Sequence, residues 1–231
     1  MNINNNNWNK IQLSLNEKGY AILNDALNKA ECKSVLKLYN KSLLFRKTVI
    51  MERHRYGLGE YKYFHHPLPK TVQKLREDLY KNIYAVANDW MKMLNMAVKY
   101  PPALEEFLEI CKANHQTLAT PLMLKYGAGG YNALHQDLYG SVYFPMQAVV
   151  FLNEPGADFT GGEFVLTEQI PRAQSKAIVL NPAQGDVLIF TTQFRPQKGT
   201  KGYYRVNMKH GVSNVHSGSR HTLGIIFHDA K

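Results

Sequence analysis

The stretch ALHQDLYG, residues 133–140, places a histidine and an aspartate two positions apart in a short, mostly apolar run. In a β-strand, residues i and i+2 point to the same face, so His135 and Asp137 would direct an imidazole and a carboxylate at one point. That pair supplies two of the three ligands of a 2-His-1-carboxylate triad, which holds Fe(II) on one face and leaves other positions open. Because the chain has nine histidines, the pair indicates a metal site only if another histidine lies on a later strand.

From Pro121 onward, the sequence around this stretch reads as short β-strands separated by turns. Seven runs are rich in β-branched and aromatic residues: LMLKY, MQAVVFL, EFVLTE, AIVL, DVLIF, YYRVNM and HTLGIIF. The segments between them include GAGG, NEPGADFTGG, NPAQGD and RPQKGTKG. Many short strands with turns rich in glycine and proline predict a sandwich or jelly roll. We interpret GAGG as a turn between strands, because no Lys-Ser or Lys-Thr pair follows it as in a phosphate loop.

The first 120 residues show mainly helical patterns. GYAIL, residues 19–23, predicts a short strand, and Asn28 with Glu31 resembles a capping box at the start of a helix. Apolar residues then recur at helical spacing from Cys32 to Leu43. A longer apolar stripe, from Val72 to Leu94, predicts a helix that starts near Thr71, and ALEEFLEICK predicts a last short one. We therefore predict an α+β fold of one domain, residues 1–231, with a mainly helical layer (1–120) on a β core (121–231).

Composition narrows the class of protein. The chain has 231 residues, a formal net charge of +10 and two cysteines that lie far apart in sequence. No apolar run approaches the ~18 residues of a membrane span, and the Asn-rich start lacks the apolar stretch of a secretory signal. These features predict a cytoplasmic protein with two buried thiols, without a membrane or an obligate protein partner. The positive charge favours a polyanionic partner such as nucleic acid, although it can also serve solubility alone.

Four histidines near the C-terminus are candidates for the missing ligand, and the first one has the best surroundings. His210 ends the strand pattern YYRVNMKH, and ten positions later Arg220 opens RHTLGIIFH. An arginine grips a carboxylate with two parallel hydrogen bonds, which suits the far end of a dicarboxylate cosubstrate. We expect His216 to face solvent in a turn and His221 to point away from Arg220. His228 shares the face of Arg220 by strand parity, so it would either touch the cosubstrate or support the site from behind.

A basic and aromatic stretch, RHRYGLGEYKYFHHPLP at residues 53–69, has two interpretations. It contributes Arg53, Arg55, Tyr56, Tyr61, Lys62 and Tyr63. These side chains could form a lid that stacks a base and contacts phosphate. The alternative is a packed β-hairpin with a solvated basic edge. A second basic run, residues 195–205, lies just before His210 and could line the same opening.

Together, these motifs resemble the Fe(II)/2-oxoglutarate dioxygenases. The resemblance rests on five stretches: Tyr126 to Asp137, Phe159 to Phe164, Gly185 to Phe190, Arg205 to Val212 and Ser217 to Gly224. The segment GYAILNDALNKAECKSVLKLY is also similar to the start of prolyl-hydroxylase-like members. FHHPLP, HQDLYG, TGGEFVLTEQIPRAQS and GIIFHDA are similar to a bacterial subfamily described as oxygenases acting on damaged, alkylated nucleic acid, some members of which carry a prolyl-hydroxylase label.

The resemblance implies a double-stranded β-helix (jelly-roll) core with iron bound inside it. It implies that the catalytic residues are the three metal ligands, His135, Asp137 and His210. It also implies that the enzyme uses Fe(II), O2 and the cosubstrate 2-oxoglutarate. Arg220 would hold the distal carboxylate of 2-oxoglutarate together with Tyr126, and His228 is a further candidate for cofactor binding.

The chain departs from the AlkB-type demethylases at two positions. Those enzymes have an asparagine two residues before the tyrosine, where this chain has Leu124. They also have a second arginine six residues after the first, where this chain has Ile226.

Three functions follow as hypotheses. The first is oxidative dealkylation of alkylated nucleic-acid bases, with substrate contacts assigned to Arg55, Tyr56, Tyr61 and Tyr63. The second is hydroxylation of a prolyl or other protein side chain, or of a small molecule, by the same iron chemistry. The third is a jelly-roll binding module that is not catalytic.

Overall fold

The first half of the chain contributes four α-helices and four strands. A computed structural model describes all residues 1–231. Its first elements are α1 (Trp8–Lys18), β1 (Tyr20–Leu23), α2 (Lys29–Leu36), β2 (Phe45–Ile50), β3 (Gly57–Leu58), β4 (Glu60–Phe64), α3 (Lys70–Met93) and α4 (Leu104–Ala113). The capping box predicted at Asn28 is present: its side chain accepts from the Glu31 backbone, and the Glu31 carboxylate accepts from the Asn28 backbone. No helix is both long enough and apolar enough to cross a membrane.

The second half is entirely β-structure. Its strands are β5 (Leu122–Tyr126), β6 (Tyr131–His135), β7 (Met146–Phe151), β8 (Phe159–Gly161), β9 (Phe164–Gln169), β10 (Lys176–Leu180), β11 (Val187–Thr191), β12 (Phe194–Gly199), β13 (Gly202–Val212), β14 (Val215–Gly218) and β15 (Arg220–Ile226). All seven runs that the sequence predicts as strands form strands. The turn predicted at residues 127–130 lies between β5 and β6.

Two antiparallel sheets face each other. The larger has seven strands in the order β1-β11-β7-β15-β5-β4-β2, and the smaller has the order β10-β9-β13-β6-β3, with β12 paired to β13. Strands β8 and β14 form a separate pair. The prediction of a jelly-roll core with a helical layer is confirmed, and β1 to β4 show that both halves of the chain build the sheets.

The larger sheet is buried on both faces at β7, one of its interior strands. Along β7, Ala148 and Val150 belong to the main core, which the helices share, while Val149 and Phe151 pack with residues of β9 and β13 between the sheets. Strand β7 has no exposed position, which explains why it reads as a continuous apolar run rather than an alternating one. The predicted apolar stripe of α3 lies in the same core, and the two cysteines are buried and free, as expected.

Several elements differ from the sequence predictions. Strands β2 to β4 lie where helical patterns prevail, and only the hairpin alternative for residues 53–69 anticipated part of them. Charged residues such as Lys47 and Lys62 on these strands obscure the alternation that marks a half-buried strand. The helix predicted from Cys32 to Leu43 ends at Leu36, and the chain continues as two short 3-10 turns. In the second half, the sequence does not predict β8, β12 and β14, and the strand expected to carry both His135 and Asp137 ends at His135.

A buried ion pair joins α3 to the end of β15. The fully buried Arg76 donates from Nε to the carbonyl of Ile226 (2.9 Å) and from one terminal nitrogen to the carbonyl of Phe227 (2.9 Å) and to Asp229 Oδ1 (2.7 Å). The second Asp229 oxygen lies 2.8 Å from His66 Nε2. These contacts satisfy the carbonyl groups where β15 leaves the sheet, and they hold the strand that carries Arg220.

Candidate metal centre and cavity

Three side chains, two from the smaller sheet and one from the loop after β6, form a compact cluster of metal-donor atoms. One ligand atom each of His135, Asp137 and His210 lies within 4.8 Å of the others. His135 on β6 and His210 on β13 are direct partners across the two strands. Strand β6 ends at His135, so Asp137 reaches the cluster from the loop and not, as expected, from the strand itself. Asp137 Oδ2 is 3.2 Å from His210 Nε2, and its Oδ1 is 3.6 Å from His135 Nε2.

The surroundings of Asp137 and His210 favour the protonation states in which these two residues bind a metal ion. Burial alone would raise the pKa of Asp137, but the hydrogen bond from His210 and the electrostatic interactions with His210 and His135 outweigh it, so the pKa lies well below its usual range. Burial, and then the neighbouring His135, lower the pKa of His210. An ionised carboxylate and a neutral imidazole are the forms that bind a metal ion.

The side chains of two glutamines, Gln136 and the buried Gln116, hold the loop that carries Asp137. The Gln136 side chain donates to the carbonyls of Gln193 (3.1 Å) and Met208 (2.8 Å). Farther along, the Gln116 amide donates to the Val142 carbonyl (2.8 Å) and accepts from the Val142 backbone N–H (2.8 Å). The loop is therefore fixed near both ends, so the position of Asp137 is set before any ligand binds.

The donor cluster opens into a cavity between the two sheets. Its volume is about 420 Å³, within the usual range for small-molecule sites. It contains His135, Asp137 and His210, the proposed cosubstrate residues Arg220 and Tyr126, and the four proposed substrate residues Arg55, Tyr56, Tyr61 and Tyr63. The structure thus brings together nine of the ten residues that the sequence assigns to the site.

One end of the cavity holds an unpaired cation. Arg220 is 2% exposed, and neither its Nε nor one of its terminal nitrogens has a hydrogen-bond partner. Burial lowers its pKa to about 10, so it remains charged at neutral pH. Its guanidinium carbon lies 5.5 Å from the ring centre of Tyr126, whose hydroxyl accepts from Asn132 Nδ2 at 3.3 Å. A buried guanidinium without an anion is a group that a bound carboxylate would satisfy.

These residues fit Fe(II) and 2-oxoglutarate. Two imidazoles and one carboxylate are the donor set of a facial iron site, and a dicarboxylate would supply the anion that Arg220 lacks. The outer face of the cavity is aromatic and basic. Arg55 has a left-handed backbone (φ 59°), and the half-exposed Tyr56 stacks on His54 with a centroid distance of 5.3 Å.

Two basic segments do not line the cavity as expected. Lys62 lies between Tyr61 and Tyr63 on β4, so it points to the opposite face of the sheet, where its Nζ donates to the Tyr39 carbonyl (3.2 Å). Arg53 also lies outside the cavity wall. No residue of the run 195–205 lines the cavity, and Arg195 is instead held in a buried ion pair with Glu168 at 2.7 Å.

His228 does not reach the cavity either, which corrects its assignment to cofactor binding. Strand β15 ends at Ile226, so the alternation that would have aimed His228 into the cavity stops before it. Its Nδ1 accepts from the Phe144 backbone N–H at 3.2 Å, and its ring lies 6.0 Å from that of Tyr139. Burial lowers the pKa of His228 to about 4, so it is a neutral residue packed behind the site. As expected, His216 is exposed, and His221 points away to Asn153.

Other cavity residues were not identified from the sequence. Gln147 is 3% exposed, lines the cavity, and has a side-chain nitrogen without a partner. The signal for it was a polar residue inside the apolar run MQAVVFL. Leu124 and Ile226, the two departures from the AlkB pattern, do face the cavity, so they replace polar contacts with an apolar wall.

Several solved oxygenases are similar to this chain in fold. A Pseudomonas putida prolyl-4-hydroxylase aligns over 97% of this chain and 99% of its own, with a TM-score of 0.58 and 11% identity. A 2OG-Fe(II) oxygenase family oxidoreductase from Burkholderia pseudomallei aligns over 98% and 94%, with a TM-score of 0.58 and 16% identity. A prolyl hydroxylase from Trichoplax adhaerens aligns over 99% and 96%, with a TM-score of 0.55 and 15% identity. At these identities the likeness establishes the fold.

Sequence relatives establish the family. Two uncharacterized proteins of Mycobacterium tuberculosis, MT2286 and Rv2227, are each 43% identical over 164 residues, or 71% of this chain and 70% of theirs. The family Oxygenase-NA, described as an oxygenase catalysing oxidative methylation of damaged DNA, matches residues 59–230. The chain therefore belongs to the Oxygenase-NA family of oxygenases, and its His-Asp-His cluster and buried Arg220 fit Fe(II) and 2-oxoglutarate.

Proposed function

We propose that this dioxygenase removes alkyl groups from nucleic-acid bases by oxidation. The observation that carries the proposal is one cavity with three parts: a His-Asp-His cluster, an unpaired arginine and an outer wall of tyrosines with Arg55. The family description, which refers to damaged DNA, supports the same substrate class.

Each part of the cavity would have its own task. His135, Asp137 and His210 would hold the iron, and Arg220 with Tyr126 would bind the distal carboxylate of 2-oxoglutarate. When bound, the iron and its cosubstrate supply the oxidising power that hydroxylates a C–H bond. The apolar wall, which includes Leu122, Leu124, Val149 and Ile226, would exclude water from the reacting atoms. A hydroxylated N-methyl carbon leaves its nitrogen as formaldehyde, which restores the base.

The shape of the site favours an unpaired base. A base inside a duplex cannot reach a cavity enclosed between two sheets, so the substrate must be single-stranded or flipped out. Tyr56, Tyr61 and Tyr63 offer faces and edges against which such a base can pack. Arg55 and the net charge of +10 would attract the phosphate backbone. Nucleic acid is accordingly the partner that we propose, and the two free buried cysteines support the cytoplasm as its compartment.

The reaction can be tested directly. The protein would be loaded anaerobically with Fe(II) and 2-oxoglutarate, and succinate and formaldehyde would be measured in air. The substrates to compare are N-methylated single-stranded DNA, the same strand unmethylated, and a proline-rich peptide, with His135→Ala as the blank. We expect both products to rise only with the methylated strand. A response to the peptide alone would identify a protein hydroxylase, and no succinate under any condition would indicate a binding module.

A further inference from the structure

A tyrosine hydroxyl contacts the metal-binding carboxylate directly. Tyr139 lies two residues after Asp137, and its hydroxyl is 2.7 Å from Asp137 Oδ1. The other carboxylate oxygen, Oδ2, lies 3.2 Å from His210 Nε2. The two oxygens of Asp137 therefore have different neighbours, and Tyr139 engages only one of them.

The hydrogen bonds have a fixed direction. An ionised carboxylate can only accept, so the single proton of the Tyr139 hydroxyl must point to Asp137. The hydroxyl of Tyr63 lies 3.0 Å from that of Tyr139, and because the Tyr139 proton is already used, Tyr63 must be the donor. The result is a chain of donors that runs from Tyr63 on the cavity wall, through Tyr139, to Asp137.

Packing holds both rings in place. The ring of Tyr139 meets that of Tyr63 edge-on, with a centroid distance of 6.2 Å. The ring of His228 lies 6.0 Å from that of Tyr139. The Arg46 guanidinium lies 4.7 Å from the Tyr63 ring centre and is itself bound to the Ala119 carbonyl at 3.0 Å. A donor held this rigidly can orient the group that it contacts.

We propose that Tyr139 is a positioning residue for the iron carboxylate and that Tyr63 supports it. By holding Oδ1, Tyr139 keeps the Asp137 carboxylate from turning and presents Oδ2 to the metal. Partners that orient a ligating carboxylate typically contribute 10- to 100-fold to metal affinity. This inference concerns only the metal centre, so it stands or fails separately from the proposed nucleic-acid substrate.

Metal titration tests the proposal. Co(II), which is stable in air and coloured when bound, would be titrated into the metal-free wild type and into Tyr139→Phe. The matched control is Tyr143→Phe, because Tyr143 lies in the same loop, packs near His228 and makes no hydrogen bond through its hydroxyl. We expect Tyr139→Phe to bind Co(II) about 10- to 100-fold more weakly, with an altered visible spectrum. Tyr143→Phe should match the wild type.

Two results would overturn the proposal. One is an unchanged Co(II) affinity in Tyr139→Phe, and the other is an equal loss in Tyr143→Phe, which would trace the effect to loop packing. If Tyr139→Phe does not fold, Tyr63→Phe replaces it, because removing the upstream donor should still weaken Co(II) binding measurably. An unchanged affinity in a folded Tyr63→Phe would then contradict the chain of donors.

Discussion

Arg220 shows how one residue can lower the stability of the ligand-free protein and still be needed to bind the cosubstrate. Its guanidinium is buried, charged and partly without hydrogen bonds. A buried unpaired charge destabilises a fold, and a bound dicarboxylate would remove that cost. The residue therefore links binding of the cosubstrate to stability.

Replacing Arg220 should separate these two effects. We expect Arg220→Met to unfold at the same temperature as the unliganded wild type or higher, because no salt bridge is lost. The wild type should gain about 2.7 kcal/mol from 2-oxoglutarate at 100 times its Kd, and Arg220→Met should gain almost nothing. Thermal unfolding with and without 2-oxoglutarate, in the presence of Co(II), measures both quantities. Lys125→Met, on the outer face of the neighbouring strand, should keep the full gain, and a full gain in Arg220→Met would contradict the assignment.

Arg55 and Lys62 offer a comparison at the cavity opening. Both belong to the basic stretch, but only Arg55 lines the cavity, whereas Lys62 is held against Tyr39 on the opposite face. We expect Arg55→Ala to weaken binding of single-stranded DNA and to reduce the slope of log affinity against log salt by about one. Lys62→Ala should change neither value. Fluorescence anisotropy across a salt series measures both, and equal effects of the two variants would argue for nonspecific attraction.

The ligands could be predicted from the sequence, but the residues that support them could not. The spacing of His135 and Asp137 indicated a metal site, and the resemblance to the Fe(II)/2-oxoglutarate dioxygenases implied the roles of His210 and Arg220. The role of Tyr139 depends on how its loop folds back onto Asp137, and that of Gln147 on which face of β7 meets the cavity, and spacing along the chain specifies neither. The alternation of side chains along a strand also gave a wrong prediction for His228. The strand ends at Ile226, and contacts with neighbouring elements rather than local sequence set that end.

At the scale of elements, the contact between α3 and β15 orients the strand that carries Arg220. The pair of Arg76 and Asp229 is almost fully excluded from water, whereas Lys74 and Asp78 on the same helix form an ion pair at the surface. Burial decides how much each pair matters, because an uncompensated charge is tolerated in water and not in the core.

Removal of one partner from each pair tests this difference. We expect Asp229→Asn to cost about 3–5 kcal/mol of unfolding free energy, since it leaves Arg76 buried without a counter-charge. Lys74→Met should cost less than about 1 kcal/mol. Urea unfolding of the metal-free proteins at neutral pH gives both values. Similar losses in the two variants would show that Arg76 is solvated or compensated by other groups.

The elements with strong internal patterns were predictable, and those defined by their neighbours were not. The stripe of α3 and the buried strand β7 are explicit in the sequence because each buries a continuous apolar surface. Strand β12 contains Pro196, which normally argues against a strand, and it is tolerated here because β12 pairs only with β13. Strand β6 is largely exposed, so burial gives its residues no regular alternation.

For the whole molecule, buried neutral histidines limit stability in acid. Burial lowers the pKa of His221 and of His228 to about 4, whereas an unfolded histidine titrates near 6.5. Between about pH 4 and pH 6.5 the unfolded chain therefore binds more protons than the folded one. The folded state loses stability as the pH falls through that window.

His228, the more deeply buried of the two, makes this effect measurable. We expect the wild type to lose on the order of 2 kcal/mol through His228 between pH 7.5 and pH 5, as one pKa unit corresponds to about 1.4 kcal/mol. His228→Gln should be less stable at pH 7.5, where the bond to the Phe144 backbone is weakened, but it should lose less on acidification. Urea unfolding at the two pH values tests this, and parallel losses in both proteins would exclude His228 as a cause.

The direct pairing of His135 with His210 has a consequence for motion. Strand β6 is largely exposed. It pairs with β13 through an irregular register and with the two-residue strand β3. Such a strand belongs to the part of a fold that opens locally well below the global unfolding free energy. A metal ion bound to both histidines would bridge β6 to β13 across this weak seam. Amide protons of residues 131–137 should then exchange with solvent readily in the metal-free protein and much more slowly once Co(II) is bound, while those of β7 should exchange at the same rate in both.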